Sequence, residues 1–440
     1  MRMRNFLYKN GLRSIVMYTK NQLIRVITDQ REALLARPLG VERQALSMMK
    51  GYIDIPHVIV ITGLRRSGKS TLMRQIIKTY FHDTDFYYVN FEDERLFNFQ
   101  ASDFNLIYEA QLELYGKQST FFIDEIQGVP EFDRFIRRFY DSGFKFFISG
   151  SNASLLRLDI STRLTGRHLD INLKPFRFSE FLKLKGATIP APGAMETESR
   201  VMIKKLFDEY LVTGGMPERL VYGQDEILDR IYDDIVVKDV AVRHSITDVK
   251  SLRELYQYLV ANFCRKFSYN GLLKFTSIGS ANTIKAYIGH LEDTYFACIV
   301  PKYEHSVKKQ IVNDKKFYVV DNGFIKRISP MVTVDKGWLL ENLVVSVLKN
   351  GDNVFYYSKD KECDIIMKEN NATIRAIQVT RELTADNKKR EIDGLMEAMN
   401  EFRLSEGLIL TEDQDDDIPV NGRHIVVKPV WKWAVETGVR

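Results

Sequence analysis

The chain has 440 residues, more than one ordinary core accommodates, so about two to four domains are expected. With 45% hydrophobic and 28% charged residues it reads as soluble and globular, not as a disordered or fibrous chain. The net charge of +5 is mild, permitting a nucleic-acid partner without arguing for one, and no apolar run approaches the ~20 residues of a membrane span.

The first residues, Met-Arg-Met-Arg-Asn-Phe, are basic, but no apolar signal core or cleavage site follows them, so the expected location is the cytoplasm with no membrane association. Cys264, Cys298 and Cys363 are widely spaced, form no metal-binding pattern and suit a reducing compartment. From about residue 17 to 50, Ile24, Val26, Ile27, Leu34 and Leu35 recur at helical spacing among many charges, which predicts one or two leader helices.

The stretch from His57 to Thr71 carries the most chemistry. A β-branched run is followed by Gly63-x-x-x-x-Gly68-Lys69-Ser70 and then by the helical pattern Leu72-Met-Arg-Gln-Ile-Ile77. A phosphate chain needs backbone N–H groups turned inward, a cation, and a hydroxyl for Mg²⁺. Gly63 and Gly68 allow the backbone angles and close approach, Lys69 reaches the β- and γ-phosphates, and Ser70 ligates the metal. The expected nucleotide-binding set is Gly63, Leu64, Arg65, Arg66, Ser67, Gly68, Lys69, Ser70 and Thr71. Arg65 and Arg66 are unusual in bulk and charge for such a loop. They suit phosphate, DNA or a protein partner alike.

Four more strand-like runs follow, at 86–91, 120–124, 144–149 and 169–173, with helical patterns between most of them. Alternating units of this kind give a parallel sheet, and near-continuous apolar strands mean a sheet covered on both faces. Thr120-Phe-Phe-Ile-Asp124-Glu125 looks like a Walker B strand. Asp124 emerges at its C-terminal end, where it would hold Mg²⁺ through water, and Glu125 would polarise the attacking water.

One strand-like run lies between these two motifs. That arrangement resembles the additional-strand ATPases, including the AAA+ superfamily, and implies ATP with Mg²⁺. Ile148-Ser-Gly-Ser-Asn152 resembles sensor 1, with Asn152 and Ser149 as candidates for sensing the γ-phosphate. Ser161-Thr-Arg163-Leu-Thr-Gly-Arg167 and the residues up to Phe181 closely resemble a large prokaryotic family of AAA-type ATPases with a nuclease-like C-terminal domain. Tyr210-Leu-Val-Thr-Gly-Gly-Met-Pro217 and Phe317-Tyr-Val-Val-Asp-Asn-Gly323 also look like its signatures. The resemblance implies an arginine finger, Arg163 or Arg167, acting in cis or from a neighbouring subunit.

Gly186–Ser199 reads as a loop or linker. Residues from about 200 to 262 are helical, broken at Gly214-Gly215-Met216-Pro217. The stretch 252–300 resembles a winged helix-turn-helix whose third helix, from Ser280 to Leu291, offers Ser280, Asn282, Thr283, Lys285 and Tyr287 to DNA. Further on, Glu341, Asp364 and Gln378-Val-Thr380 resemble a PD-(D/E)xK site in which Gln378 replaces the second acid and Thr380 the lysine. Thr cannot replace an ammonium, so cleavage is not expected unless Lys359, Lys361 or Arg381 substitutes. The acidic run Glu412–Asp417 reads as a solvated loop.

The expected fold class is therefore α/β: a P-loop NTPase parallel sheet of the additional-strand type, then a helical lid, a winged helix and a small α/β nuclease-like domain. The expected boundaries are a leader at 1–45, an AAA-like ATPase core at 46–185, a lid at 200–250, a winged helix at 251–310 and the nuclease-like domain at 311–440. The expected function is an ATP-binding protein and Mg²⁺-dependent ATPase acting on DNA or a protein partner, with a homo-oligomer compatible. The alternatives are a nucleotide-gated DNA- or protein-binding switch with little turnover, or an ATP-dependent nuclease.

Overall fold

The computed structural model describes residues 18–151, 166–189, 196–329, 334–349, 353–369 and 372–437. Five strands, β1 (Val58–Thr62), β2 (Tyr87–Asn90), β3 (Thr120–Asp124), β4 (Lys145–Gly150) and β5 (His168–Asn172), form one parallel sheet in the order β2-β3-β4-β1-β5. β4 thus lies between the strand that enters the phosphate loop and the strand that ends in Asp124.

Side chains alternate faces along a strand, so in-register aromatics stack on each face separately. Phe121 stacks on Phe146 with centroids 5.3 Å apart, and Phe122 stacks on Phe147 at 4.6 Å on the opposite face. Each such pair contributes about 0.5–1.5 kcal/mol beyond its buried area.

The helix Lys20–Ala36 opens with a Thr19/Gln22 capping box and buries Leu23, Val26 and Ile27 in the same core as Tyr87, Phe121 and Ile148. Its Gln30 amide donates to the Asn90 carbonyl and accepts from the Asn90 N–H, taking the place of a neighbouring strand at the edge of β2.

Beyond the sheet come the helices Thr197–Thr213, Pro217–Tyr222 and Glu226–Asp234, the last continuing as a π-helix over Ile235–Val242. The first of these begins inside the stretch expected to be a linker, because Thr197-Glu-Ser can open a helix once no glycine or proline intervenes. Next are the helices Val249–Ala261, Tyr269–Leu272 and Ala281–Asp293, with a three-stranded antiparallel sheet of β6 (Lys266–Phe267), β8 (Lys315–Val319) and β7 (Ala297–Pro301) in that order.

A six-stranded mixed sheet closes the chain. It consists of β9 (Val354–Ser358), β10 (Glu362–Glu369), β11 (Ala372–Val379), β12 (Glu406–Thr411), β13 (Asp416–Val420) and β14 (Arg423–Pro429), in the order β13-β14-β12-β11-β10-β9. The helices from Phe178 to Ala261, the three-stranded sheet and one face of this last sheet share a single hydrophobic core.

The two glycine-containing signatures meet inside that core. Asp321 accepts from the N–H of Gly215 at 2.5 Å and of Gly323 at 2.9 Å, while Asn322 donates to the Leu211 carbonyl at 2.9 Å. A Cβ at Gly215 would come within 2.1 Å of the Phe176 carbonyl, so only glycine fits. The acidic run is exposed from Asp413 to Asp417, as a solvated stretch would be, but it is ion-paired and only its first part is a loop. Glu412 pairs with Lys336 and Arg381, Asp413 with Lys204, and Asp415 with Lys432, while Asp416 and Asp417 lie in β13.

Candidate functional site

β1 is buried along its whole length, which fixes where the chain emerges at Gly63. Gly63 has φ +143°, and a Cβ there would lie 2.2 Å from the Leu173 carbonyl. Gly68, at φ +98°, caps the helix Lys69–Tyr80. Between them the loop turns its backbone toward a helix N-terminus, a natural anion site. The Ser67 hydroxyl is fully buried and has no hydrogen-bond partner among the described residues, an orphaned donor inside the cradle.

Lys69 is buried, and its Nζ donates to the carbonyls of Gly63 and Leu64 at 3.2 and 3.1 Å. It lies 3.7 Å from Glu125 Oε1. Ser70 and Ser149 both hydrogen-bond the Asp124 carboxylate, so the hydroxyl after the loop lysine and the acid at the end of β3 come together. They are hard oxygen donors of the type Mg²⁺ takes. Thr71 lies one residue further on, its hydroxyl accepting from Arg74. Leu64 is buried in the core shared with the helical region.

Glu125 has φ +52°, a left-handed conformation that a non-glycine residue holds only under constraint. The Gln127 amide and the Ser151 hydroxyl both donate to its Oε2, the latter at 3.2 Å. Burial and the neighbouring Glu125 charge push the Asp124 carboxyl above its ordinary range. Burial pushes Glu125 up as well, but Lys69, the Gln127 hydrogen bond and Arg65 outweigh it and hold this carboxylate low. Two adjacent acids are thus driven apart in acidity.

Sequence reasoning missed several residues around this site. Arg43, buried behind the loop, donates to the Ser67 carbonyl at 2.6 Å, to the Lys174 carbonyl at 2.6 Å and to Glu180 at 2.9 Å. Arg65 pairs with Asp239, and Arg66 with Glu218, both from the helical region. Only Gln127, two residues beyond Glu125, lay close enough in sequence to have been noticed. The others are brought in by tertiary structure.

Asn152 and Arg163 lie outside the described residues. Arg167 precedes the first residue of β5, whose parallel register with β1 aligns His168 with Val58 and Asn172 with Thr62. It therefore sits at the sheet edge opposite the phosphate loop, about five residues or ~16 Å along the strand. There it pairs with Asp141 at 2.7 Å. Arg167 does not reach the loop of its own chain; it is a partly exposed arginine paired with a local carboxylate.

In the C-terminal region, Gln378 accepts from the Asp364 N–H and donates to Glu391 at 2.7 Å. Thr380 donates its hydroxyl to the Glu382 carbonyl, and Arg381 turns to Glu412. The ammonium that bridges Glu341 and Asp364 is none of those considered from sequence. It is Lys316 of β8, buried, 3.1 Å from Glu341, 2.9 Å from Glu362 and 3.2 Å from Asp364. Burial pushes Glu341 up to about 7 despite that ammonium. Among the described residues, no group of three or more His, Cys, Asp or Glu is arranged to hold a metal ion, and no helix is long and apolar enough to cross a membrane.

Comparison with known proteins finds matches to two stretches of the chain and to full-length relatives. Residues 56–182 match the model of an AAA domain, and residues 204–333 match a domain of unknown function (DUF8612). The chain is 34% identical over 402 residues to the uncharacterized protein MJ1544 of Methanocaldococcus jannaschii, covering 87% of this chain and 89% of that protein. An uncharacterized Haemophilus influenzae protein is 26% identical over 405 residues, covering 88% of this chain and 96% of its own. Among solved structures, domain III of the Thermotoga maritima replication initiation protein DnaA aligns at 14% identity and a TM-score of 0.25, covering 47% of this chain and 90% of that one.

Proposed function

This chain belongs to the family of the Methanocaldococcus jannaschii protein MJ1544, with an AAA+-type P-loop domain, and from that premise we propose that it is an ATPase whose nucleotide state drives or gates action on DNA or a protein. The observation that carries this reading is the convergence of Lys69, Ser70, Asp124 and Glu125 at the C-terminal ends of β1 and β3.

In this reading the loop N–H groups and Lys69 bind the phosphates of ATP. Ser70 and Asp124 would hold Mg²⁺, which when bound would supply positive charge against the phosphate oxygens. Glu125 takes the proton of the attacking water, and Gln127 and Ser151 aim its carboxylate until it does so. Asn152 would sense the γ-phosphate, and Arg163 or Arg167 of a neighbouring copy would supply the remaining positive charge.

Further assignments belong to the same proposal. The helices from Thr197 to Val242 act as a lid. The three helices and antiparallel sheet from Val249 to Val319 act as a winged helix, with Asn282 and Lys285 exposed on its third helix and Ser280 engaged as that helix's N-cap. The last sheet has a nuclease-like plan but a binding or regulatory role. Lys316 has three N–H donors and three carboxylates within reach, so its donors are occupied rather than available to a water.

The test is nucleotide retention by the purified full chain. Glu125→Gln is expected to bind ATP and keep it uncleaved, while Lys69→Ala binds at least about tenfold more weakly. Equal retention by wild type, Glu125→Gln and Lys69→Ala would overturn the assignment. Release of phosphate that rises with duplex DNA would favour the DNA partner over a protein one. Metal-dependent DNA cleavage lost in Asp364→Ala would overturn the non-nuclease reading of the last domain.

A further inference from the structure

The two arginines inside the phosphate loop have partners that a phosphate-binding role alone does not explain. Arg65 presents Nε and an Nη to the two oxygens of Asp239, both at 3.0 Å. Arg66 presents one Nη to both oxygens of Glu218 at 2.9 Å. Glu218 lies on the helix Pro217–Tyr222 and Asp239 on the π-helix Ile235–Val242, so both carboxylates belong to the helical region that follows the Gly214-Gly215 break. Asp239 is nearly fully buried, whereas the Arg66–Glu218 pair is partly exposed.

Asp239 takes Nε and one Nη of Arg65, whose other Nη lies 3.4 Å from Glu92, and Glu218 takes one Nη of Arg66, so these donors are withheld from phosphate. The same planar fork does not serve both well at once. An exchange of partners would not strand Asp239 in the interior. Arg243, the residue that caps the C-terminal end of the π-helix, is 3.8 Å away, and its buried Nη1 has no hydrogen-bond partner among the described residues. A second guanidinium is thus in place to receive the carboxylate that Arg65 gives up.

The π-helix itself supports a moving part. Its backbone bonding is less favourable than that of an α-helix, and such segments recur at functional positions. Its end leads directly to the helix Ala281–Asp293: His244 stacks on His290 with ring centroids 3.5 Å apart. A shift of Asp239 therefore has a short mechanical path to the helix bearing Asn282 and Lys285.

We propose that Asp239 and Glu218 form a latch on the phosphate loop, competing with the phosphates of a nucleotide for Arg65 and Arg66, so that nucleotide binding releases the helical segment 217–243. The proposal rests on the reading that this loop binds ATP. It differs from that reading in the sign of one effect. A residue that merely positioned Arg65 for phosphate would weaken nucleotide binding when lost. A competitor strengthens it.

The experiment is equilibrium binding of a fluorescent, non-hydrolysable ATP analogue to the full chain, alongside amide hydrogen exchange over 217–243. Asp239→Asn is expected to tighten binding about tenfold, the range of one charge-assisted hydrogen bond, and Arg65→Gln to loosen it. Exchange in 217–243 is expected to rise on nucleotide addition in wild type and to be high already in Asp239→Asn. Glu218→Gln, at a partly exposed pair, gives the same sign with less risk to folding. Weaker or unchanged binding in both Asp239→Asn and Glu218→Gln, with wild type binding normally, overturns the latch alone. Binding by wild type no stronger than by Lys69→Ala overturns the ATP reading and the latch with it.

Discussion

Arg43 shows how much of the nucleotide site depends on a residue with no motif of its own. It and Glu180 are both buried, and the guanidinium also holds the carbonyls of Ser67 and Lys174. Removing one member of such a pair leaves the other charged in the interior, so Arg43→Ala is expected to cost about 3–5 kcal/mol of stability. Urea unfolding measures this, and a loss below about 1 kcal/mol would show that the pair is not a brace. The phosphate-loop residues were legible in sequence because their chemistry is local: two glycines, a lysine and a serine at fixed spacing. Asp124 and Glu125 were legible because a short apolar run placed them at a strand end. Arg43, Asp239 and Lys316 were not, since each acquires its role from a contact that no spacing encodes.

At the scale of elements, the Gly214-Gly215 turn and the start of the helix Asn322–Ile328, capped by Asp321, form a joint between the helical region, the three-stranded sheet and the segment that follows β5 at Phe176. Burial pushes the Asp321 carboxyl up to about 6, against the hydrogen bonds from Gly215 and Gly323. A raised acid binds its proton more tightly folded than unfolded. Its contribution to stability is therefore full below the free aspartate value of ~3.9 and is lost as pH rises through about 6. The stability margin of wild type over Asp321→Asn is expected to widen as pH falls from about 7 to about 5. Thermal unfolding of both proteins across that range checks it, and a margin that narrows contradicts the sign. Strands were the most legible elements, because runs such as Val58–Thr62 are apolar throughout. The partnership of the two glycine signatures was hidden, since about a hundred residues separate them. The pairing of Glu412, Asp413 and Asp415 with distant lysines and an arginine was hidden for the same reason.

Over the whole molecule, a chain of contacts runs from the phosphate loop to the C-terminal sheet. Arg43 joins the Ser67 and Lys174 carbonyls, and the Lys174 ammonium donates to the carbonyls of Ser346, Val347 and Lys349 at the end of the helix Lys336–Leu348. That helix carries Glu341, which meets Lys316, and Asn342, which bonds both Val319 and Asn322. Contact alone does not establish coupling, which requires an element with two arrangements that both sites bias. The proposed latch would give the π-helix held by Arg65 that character. All of this presupposes that the loop turns over ATP. The most direct test is steady-state phosphate release from Mg²⁺-ATP by wild type, Lys69→Ala and Glu125→Gln. Wild type is expected to release phosphate at a rate that both variants lower by about 10²-fold or more. Release by wild type no faster than by Lys69→Ala would contradict the ATPase assignment.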